Sequence, residues 1–278
     1  MAETEMNPEH GSKLIVYRGW LDPGKHVWSP FVIKLEARLR FAGIPYVTEA
    51  GSTRTGPKGK IPYIECRGLR PSENSSGFQD RPPIDATLGD STLIIKRLVE
   101  WDVLPDINRK ISPASRAQDL AIRALLEDKL YFYHTWERWV ENYYPMRDHI
   151  LSALPHPMRV LVGLIIYRNT TKTLHGQGTS RYTADEIRAF RREIWEGIND
   201  LLKSSRAKAS SDTPFWVLQE KHPSEADTTL FGFIVSVLVC KACPESRSLV
   251  KGFPIILEYA ERIHDTYFPD YLKWDKSE

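Results

Sequence analysis

The stretch HVWSPFVIKLEARLRFAGIPY, residues 26–46, predicts a single helix whose two ends are both marked in the sequence. Ser29 stands where an N-cap belongs, and Pro30 fits the first helical position, where the missing N–H has no partner to lose. Gly43 ends the helix, because glycine readily adopts the left-handed conformation that follows a helix. Between these ends apolar residues recur at helical spacing, namely Phe31, Val32, Leu35, Leu39 and Ala42. The question is whether Ser29 only caps this helix or also carries chemistry.

Short β-rich runs lie on both sides of this helix. KLIVYRGW (13–20) and YVTEA (46–50) predict two strands joined through the helix, which implies a parallel pair with a right-handed crossover. KIPYIECRG (60–68) predicts a third strand, and IDATL (84–88) predicts an antiparallel edge strand beside it. GDSTLIIKRLVEW (89–101) predicts a second capped helix. The N-terminal part of the chain therefore belongs to the α/β class.

From residue 112 onward the hydrophobic period is helical almost throughout. Two capping boxes, T-x-x-E at 183–186 and S-x-x-D at 224–227, mark helix starts. The run LFGFIVSVLVC (230–240) is apolar on every face, which predicts a helix in the buried centre of the bundle. The second half is therefore predicted to be all-α.

These patterns divide the chain into regions. Residues 1–12 predict a disordered tail, because they are acidic and lack an apolar core. Residues 13–103 form the α/β unit, and the segment 69–83, rich in Pro, Ser, Gly and charge, predicts a surface insertion within it. Residues 112–270 form the all-helical unit.

The totals exclude several classes of function. The 38 basic and 36 acidic side chains leave a net charge of +2, which is not the footprint of a nucleic-acid-binding protein. The apolar runs are shorter than the roughly 20 residues that span a bilayer, so we expect no membrane span. Three cysteines are an odd number for a disulfide framework, and the N-terminus lacks a signal sequence. We therefore expect a cytoplasmic protein with a small-molecule or protein partner.

This order of elements, with a Ser-x-x-Asp box on a central helix, resembles the glutathione transferase architecture: a thioredoxin-like N-terminal domain followed by an all-α C-terminal helical bundle. The closest resemblance is to the branch of that superfamily that contains the failed-axon-connections proteins and the metaxins. Five ordered segments carry it: SPFVIKLEARLRFAGIPY (29–46), PKGKIPYIE (57–65), GDSTLIIKRL (89–98), LHGQGTSRYTADEI (174–187) and ADTTLFGFIVSVL (226–238). The branch holds both transferase-like and non-catalytic members.

The resemblance implies a catalytic role for Ser29. A thioredoxin-like site places a small polar side chain at the N-terminus of the first helix, where the helix end favours a thiolate. The Ser29 hydroxyl would donate to the sulfur of glutathione and favour the nucleophilic anion. Related classes use cysteines at this place and three residues on, where this chain has Ser29 and Val32, so we expect no thiol–disulfide chemistry here. The alternative is that Ser29 is only a cap, worth roughly 1 kcal/mol.

The resemblance also implies the residues that bind glutathione. Ile61-Pro62 matches the family's cis-proline position, where the backbone before the proline pairs with the cysteinyl part of the tripeptide. Asp90-Ser91 matches the acidic residue and serine that hold the γ-glutamyl group, with a simple N-cap as the alternative. The candidates for the glycyl carboxylate lie on one loop: Arg54, Lys58 and Lys60.

An aromatic stripe on the first helix of the second half offers an apolar pocket. Trp136, Trp139 and Tyr143 are spaced so that they could face the cleft above Ser29, where transferases hold the apolar electrophile. Core packing is the alternative for these side chains.

Two other signals are weaker. Cys240-Lys-Ala-Cys243 has redox or zinc spacing, but with no second pair and no histidine in metal spacing it is interpreted as two core cysteines. The eight histidines form no metal-binding motif, so no metal is expected.

Together these features predict a glutathione transferase-like enzyme, with glutathione as cosubstrate, that conjugates or isomerises an apolar electrophile in detoxification or small-molecule biosynthesis. The alternative is a non-catalytic adaptor with the same fold, of the metaxin or failed-axon-connections kind. A homodimer is expected by family analogy.

Overall fold

The computed structural model describes most of the chain, in the ranges 12–20, 22–71, 82–210 and 213–274. The predicted tail, apart from Ser12, and residues 72–81 of the predicted surface insertion lie outside these ranges. Within them the chain forms a four-stranded sheet with two helices, followed by a helical bundle, which confirms the predicted fold class.

A mixed sheet forms the first part of the fold. Its strands are β1 (Lys13–Tyr17), β2 (Val47–Glu49), β3 (Tyr63–Leu69) and β4 (Ile84–Gly89). Their spatial order is β2-β1-β3-β4. β1 and β2 run parallel, whereas β3 is antiparallel to both β1 and β4. The predicted parallel pair and the predicted antiparallel edge strand are therefore confirmed.

Two helices pack against the sheet, α1 (Pro30–Phe41) and α2 (Ser91–Glu100). α1 begins where the sequence predicts, since Ser29 is extended and its Oγ accepts a hydrogen bond from the backbone N–H of Val32 at 3.4 Å. One apolar cluster joins both helices to the strands, and its fully buried members include Val16, Leu35, Leu39, Ile64, Ile94 and Leu98.

The second part is a bundle of helices, and two π-helical turns join the first three of them. The helices are α3 (Pro113–Ala124), α4 (Tyr131–Trp136), α5 (Tyr143–Ile150), α6 (His156–Gln177), α7 (Ala184–Lys208), α8 (Glu225–Val239), α9 (Pro244–Lys251) and α10 (Pro254–Tyr267). The capping box at the start of α7 is formed as predicted: Glu186 accepts from the backbone N–H of Thr183 at 2.8 Å, and Thr183 Oγ1 accepts from that of Glu186 at 3.3 Å.

α8 lies at the centre of the molecule, as its all-round apolar pattern predicts, and every residue from Ala226 to Leu238 is buried. The carboxylate of Asp227 holds its N-terminus, accepting hydrogen bonds from the backbone N–H groups of Ser224 and Val217, both at 2.8 Å. The hydroxyl of Tyr259 on α10 donates to the same carboxylate at 2.7 Å. α8 is thus fixed to its neighbours by a buried carboxylate as well as by apolar packing.

α1 is buried on both of its sides, because α8 packs against the side that faces away from the sheet. A Cβ placed on Gly232 of α8 would stand only 2.5 Å from the carbonyl oxygen of Pro30. Charged side chains of α1 form ion pairs with the helical half, Lys34 with Glu127 at 2.6 Å and Arg38 with Glu225 at 2.7 Å. The first helix therefore belongs to the core of both halves.

The chain that follows α10 returns to the sheet-bearing half. The Tyr271 hydroxyl donates to the buried carboxylate of Glu36 on α1 at 2.8 Å. The backbone N–H of Leu272 donates to the carbonyl of Gly24 at 2.7 Å. In the described part of the chain no single helix is long and apolar enough to cross a membrane, while α8 and α9 taken together pass on length and composition with a bend of 116° between them.

Candidate active site

A cleft of about 470 Å³ lies where the N-termini of α1 and α2 face the first helices of the bundle. This volume is within the range of small-molecule sites. Its lining includes five of the predicted site residues, Ser29, Lys60, Ile61, Asp90 and Ser91. They come from three separate segments of the chain, so the fold brings these predicted residues together.

Ser29 is half-buried at the N-terminus of α1, at one end of the cleft. Its oxygen accepts the capping hydrogen bond from Val32, so the cap interpretation is correct. A serine hydroxyl that accepts one hydrogen bond can still donate its own hydrogen to a ligand. Capping and contact with a ligand are therefore compatible at this position.

The peptide bond between Ile61 and Pro62 is cis, as the resemblance implied. Pro62 is buried, whereas Ile61 is half-buried and lies in the cleft wall. Pairing between β3 and β4 begins at Tyr63, opposite Gly89. The bend therefore lies at the entry to β3 and presents Ile61 to the cleft.

Asp90 and Ser91 form the start of α2 at another wall of the cleft. Asp90 Oδ1 accepts hydrogen bonds from the backbone N–H groups of Thr92 at 3.1 Å and Leu93 at 3.3 Å, so this residue does cap the helix. Asp90 has a φ of 78°, which is uncommon for a residue other than glycine and is typical of functional sites. Lys60 Nζ stands 3.5 Å from the other carboxylate oxygen. Ser91 is 4% exposed.

Two acidic residues that the sequence analysis did not single out, Glu127 and Asp128, also line the cleft, and Glu127 Oε2 accepts a hydrogen bond from Thr92 Oγ1 at 3.4 Å. The buried Lys34 Nζ lies 2.6 Å from Glu127 Oε1 and 2.7 Å from Thr92 Oγ1. Lys34 thus ties the first turn of α2 to the helical half and neutralises one of the two acids.

The apolar wall of the cleft is formed by aromatic residues near the N-terminus of α1 and on α4. The ring of Phe31 lies 5.0 Å from that of Tyr131, and the ring of Tyr131 lies 5.4 Å from that of Phe132. Phe31 and Tyr131 are half-buried, so part of each ring remains accessible to a ligand. Trp20, Trp28 and Met146 complete this wall.

The structure places the predicted pocket residues Trp136, Trp139 and Tyr143 away from the cleft. Trp136 belongs to a small buried cluster between α4 and helices α6 and α7, and Trp139 belongs to the main core of the bundle. The Tyr143 hydroxyl packs against Gly163 of α6 and would stand 2.7 Å from a Cβ there. Core packing, the alternative considered for this stripe, is what these side chains do.

Two π-helical turns, Leu125–Leu130 and Glu137–Glu141, interrupt this part of the bundle, but ordinary helical spacing already accounts for the difference. At a 3.6-residue period the cleft residues Glu127, Tyr131 and Arg138 share one face, and the predicted aromatic stripe lies on the other side of the helix. Helical spacing correctly groups Trp136, Trp139 and Tyr143 on one side of the helix, but it does not reveal which side lines the cleft.

Arg138 is the least expected residue of the lining. Its guanidinium is buried, and Nη1 donates a hydrogen bond of 3.0 Å to the carbonyl oxygen of Trp28, directly before Ser29. Trp28 itself stacks on His149 of α5, with 3.5 Å between ring centroids. Burial lowers the pKa of His149, which favours its neutral form. These contacts hold the backbone that leads into Ser29.

The cysteines lie outside the cleft. Cys240 and Cys243 are fully buried in the main core, in agreement with their interpretation as core residues, and Cys66 is buried against the sheet. Burial raises the pKa of the Cys66 thiol to about 11. No cluster of metal-ligating side chains occurs among the residues with described positions.

Comparison with known proteins supports the glutathione transferase architecture that the sequence resembles. Residues 30–144 match the sequence family described as the glutathione S-transferase N-terminal domain. This match begins at the first residue of α1 and extends into α5, so it covers most of the residues that line the cleft.

Solved structures with the same architecture align along nearly the whole chain. A glutathione transferase from Phanerochaete chrysosporium is 16% identical, covers 95% of this chain and 98% of its own, and has a TM-score of 0.54. A glutathione S-transferase from Rhodospirillum rubrum F11 is 13% identical, with coverages of 95% and 94% and a TM-score of 0.53. FzlA from C. crescentus is 12% identical, with coverages of 93% and 91% and a TM-score of 0.52. The chain therefore has the glutathione transferase fold.

The charges of the cleft suit a zwitterionic peptide ligand. Two helix N-termini, at Ser29 and at Asp90, offer partial positive charge and backbone N–H groups to carboxylates and anions. The acids Asp90 and Asp128 offer partners to an ammonium group, while Glu127 is already paired with Lys34. The aromatic wall faces the same space, so an apolar molecule and a polar peptide could lie side by side.

Proposed function

We propose that this protein is a glutathione transferase-like enzyme that activates the thiol of glutathione and transfers it to an apolar electrophile. One observation carries the proposal: Ser29, the cis bend at Ile61 and the Asp90-Ser91 pair, predicted from separate sequence segments, line a single cleft. The family match over residues 30–144 supports the same conclusion.

Each part of glutathione has a partner in this proposal. The γ-glutamyl ammonium group pairs with Asp90, and the γ-glutamyl carboxylate accepts from the backbone N–H and the hydroxyl of Ser91, because the N–H groups of Thr92 and Leu93 already donate to Asp90. The cysteinyl backbone pairs with the backbone at Ile61. Lys60, exposed and flexible beside Asp90, takes the glycyl carboxylate.

The chemical step requires only the bound thiolate and the electrophile. The thiol proton leaves to solvent, and the thiolate is stabilised by the Ser29 hydroxyl and the N-terminus of α1. The sulfur then forms a bond to an electrophilic carbon held against Phe31, Tyr131 and Phe132, and the leaving group departs with its electron pair. In an isomerisation the same thiolate adds and is later expelled.

Ser29→Ala tests the step at the sulfur. We expect turnover of chlorodinitrobenzene to fall about tenfold or more, because a hydrogen bond to a charged group contributes about 1.5–3 kcal/mol. Glutathione affinity, measured by calorimetry, should stay near that of the wild type. Ser112→Ala is the matched control, since Ser112 also precedes a proline and caps a helix, with its Oγ accepting from Ser115 at 3.0 Å. Equal turnover in the two variants would remove Ser29 from the mechanism.

Asp90→Asn tests the γ-glutamyl site. Asparagine caps a helix about as well as aspartate, so the protein should keep its stability while losing the charge. We expect retention on immobilised glutathione to weaken by about tenfold in affinity, the effect of about 1.4 kcal/mol. If the wild type itself shows no binding and no thermal shift at millimolar glutathione, the adaptor alternative replaces the enzyme.

A further inference from the structure

Arg138 is a buried cation whose position links the cleft to the core. It is 6% exposed and lines the cleft together with Trp28 and Ser29. Beyond its hydrogen bond to the carbonyl of Trp28, its Nη2 donates to the backbone oxygen and to the Oγ of Ser236 on α8, both at 3.1 Å. The guanidinium therefore fixes the chain before Ser29 to the central helix.

Arg138 has no carboxylate partner of its own: among the described residues no ion pair within 4.0 Å includes it. The adjacent Glu137 is engaged by Arg191 Nη1 at 2.7 Å and by the backbone N–H groups of Glu245 and Ser246. The Nε of Arg138 is buried and makes no hydrogen bond. Because a buried charge without a counter-charge is costly, the arrangement points to an anion from another source.

The cysteines are the internal candidates for that anion. Cys243 Sγ lies 4.0 Å from Arg138 Nη2. Burial alone would raise the pKa of the Cys240 thiol, but the hydrogen bond with Cys243 and the charge of Arg138 lower it to about 7. Both thiols are fully buried, and neither belongs to the cleft lining. The other candidate is an anion that binds in the cleft itself.

The remaining charged groups at this end of the cleft do not stabilise an anion. The acids that line it, each of which disfavours a nearby thiolate, are Asp90, Glu127 and Asp128. The nearby lysines are engaged with two of these acids, Lys60 at 3.5 Å and Lys34 at 2.6 Å. Burial lowers the pKa values of His134 and His149, so both are neutral near pH 7.

We propose that Arg138 is a positioning residue for the chemistry at Ser29, and that its buried charge stabilises the sulfur anion of the bound tripeptide. This inference rests on the proposed function. Arg138 would act in two ways: its hydrogen bond to Trp28 orients the N-terminus of α1, and its fixed charge in a poorly solvated wall favours the thiolate over the thiol.

The test measures the ionisation of glutathione bound to the wild type and to Arg138→Met, by the ultraviolet absorbance of the thiolate as a function of pH. We expect the pKa of the bound thiol to rise by about one unit in the variant, which is a tenfold smaller thiolate fraction well below that pKa. Arg138→Lys keeps the charge and should restore most of the effect. An unchanged pKa in Arg138→Met would overturn the proposal.

S-methylglutathione separates this inference from the proposed function, because it has no ionisable thiol. Its calorimetric affinity should be similar in the wild type and in Arg138→Met. If the wild type binds neither glutathione nor S-methylglutathione, the proposed function fails and this inference fails with it. If both bind and only the thiol pKa is unmoved, this inference alone fails.

Cys240→Ala is the control for the internal anion. It should leave the pKa of the bound glutathione thiol unchanged. A shift as large as that of Arg138→Met would show that the Cys240 thiolate is the partner of the Arg138 charge, which would overturn the proposal. If Arg138→Met does not fold, Ser29→Ala supplies the measurement. The bound thiol should then keep a pKa below that of free glutathione, because Arg138 and the N-terminus of α1 are both still present, and a return to the free value would overturn the proposal.

Discussion

Replacing Gly232 by alanine should damage both the stability of the protein and its cleft. The added Cβ would stand 2.5 Å from the carbonyl oxygen of Pro30 and 3.0 Å from the backbone nitrogen of Lys34, where ordinary contact begins at 3.4 Å. Both obstacles are backbone atoms of α1, so no side chain can move aside and the two helices must separate. Overpacking of this kind costs about 1–3 kcal/mol, while the better helix propensity of alanine returns about 1 kcal/mol. We expect a net loss of up to about 2 kcal/mol in the free energy of unfolding.

Gly197→Ala provides the matched control, because this glycine lies within α7 with nothing within 4 Å of the added Cβ. It should stabilise the protein by about 0.5–1 kcal/mol. Urea unfolding followed by circular dichroism measures both variants, and Gly232→Ala should also show a smaller thermal shift with glutathione, because α1 carries Ser29. If Gly232→Ala is as stable as Gly197→Ala, the close crossing of α1 and α8 is not a constraint on the fold.

Two further substitutions test buried charges and buried neutral groups. Lys34→Met should destabilise the protein by about 2 kcal/mol in urea unfolding, below the roughly 3–5 kcal/mol of a fully buried pair because Glu127 is 19% exposed. Lys203→Met, which removes an exposed pair, should have no measurable effect. Equal values for the two variants would contradict the role of Lys34. His26 is neutral in the folded protein, because burial, followed by the nearby charges of His264 and Arg18, holds its pKa well below the usual range. Below about pH 6.5 the unfolded chain therefore binds one more proton than the folded protein, and the free energy of unfolding falls as the pH decreases. The stability of His26→Leu relative to the wild type should therefore rise by about 1.4 kcal/mol between pH 7.5 and pH 5.5, and a constant difference would show that His26 titrates alike in both states.

The strands, the helix starts and the fold class could be predicted from sequence because their signals are local. Ser29, the capping box of α7 and the apolar run of α8 each act within a few residues of where they stand. α5 and α9 were not predicted. In α5 the proline Pro145 lies in the first turn, where a proline is tolerated, so it is no sign that a helix ends there.

Cleft residues that belong to a short sequence motif were predicted, whereas those placed in the cleft only by packing between distant segments were missed. Ser29, Ile61 and Asp90 each belong to a short recognisable segment. Arg138 carries no such signal, since its burial depends on α8 and on the loop before Ser29, which lie far away in the sequence. The aromatic wall depends on which face of the helix is turned toward the cleft, and a helical period groups side chains on one face without revealing what that face packs against.

The return of the chain after α10 means that the two halves share one unfolding transition. Tyr271 holds a carboxylate on α1, and Leu272 pairs with the loop before it, while α8 packs beneath the same helix. Neither half can lose its structure without exposing the core of the other, so the protein should behave as one cooperative unit rather than as two independent domains. A substitution at Tyr271, far from the cleft residues in sequence, therefore changes how often the whole protein unfolds, and the cleft with it.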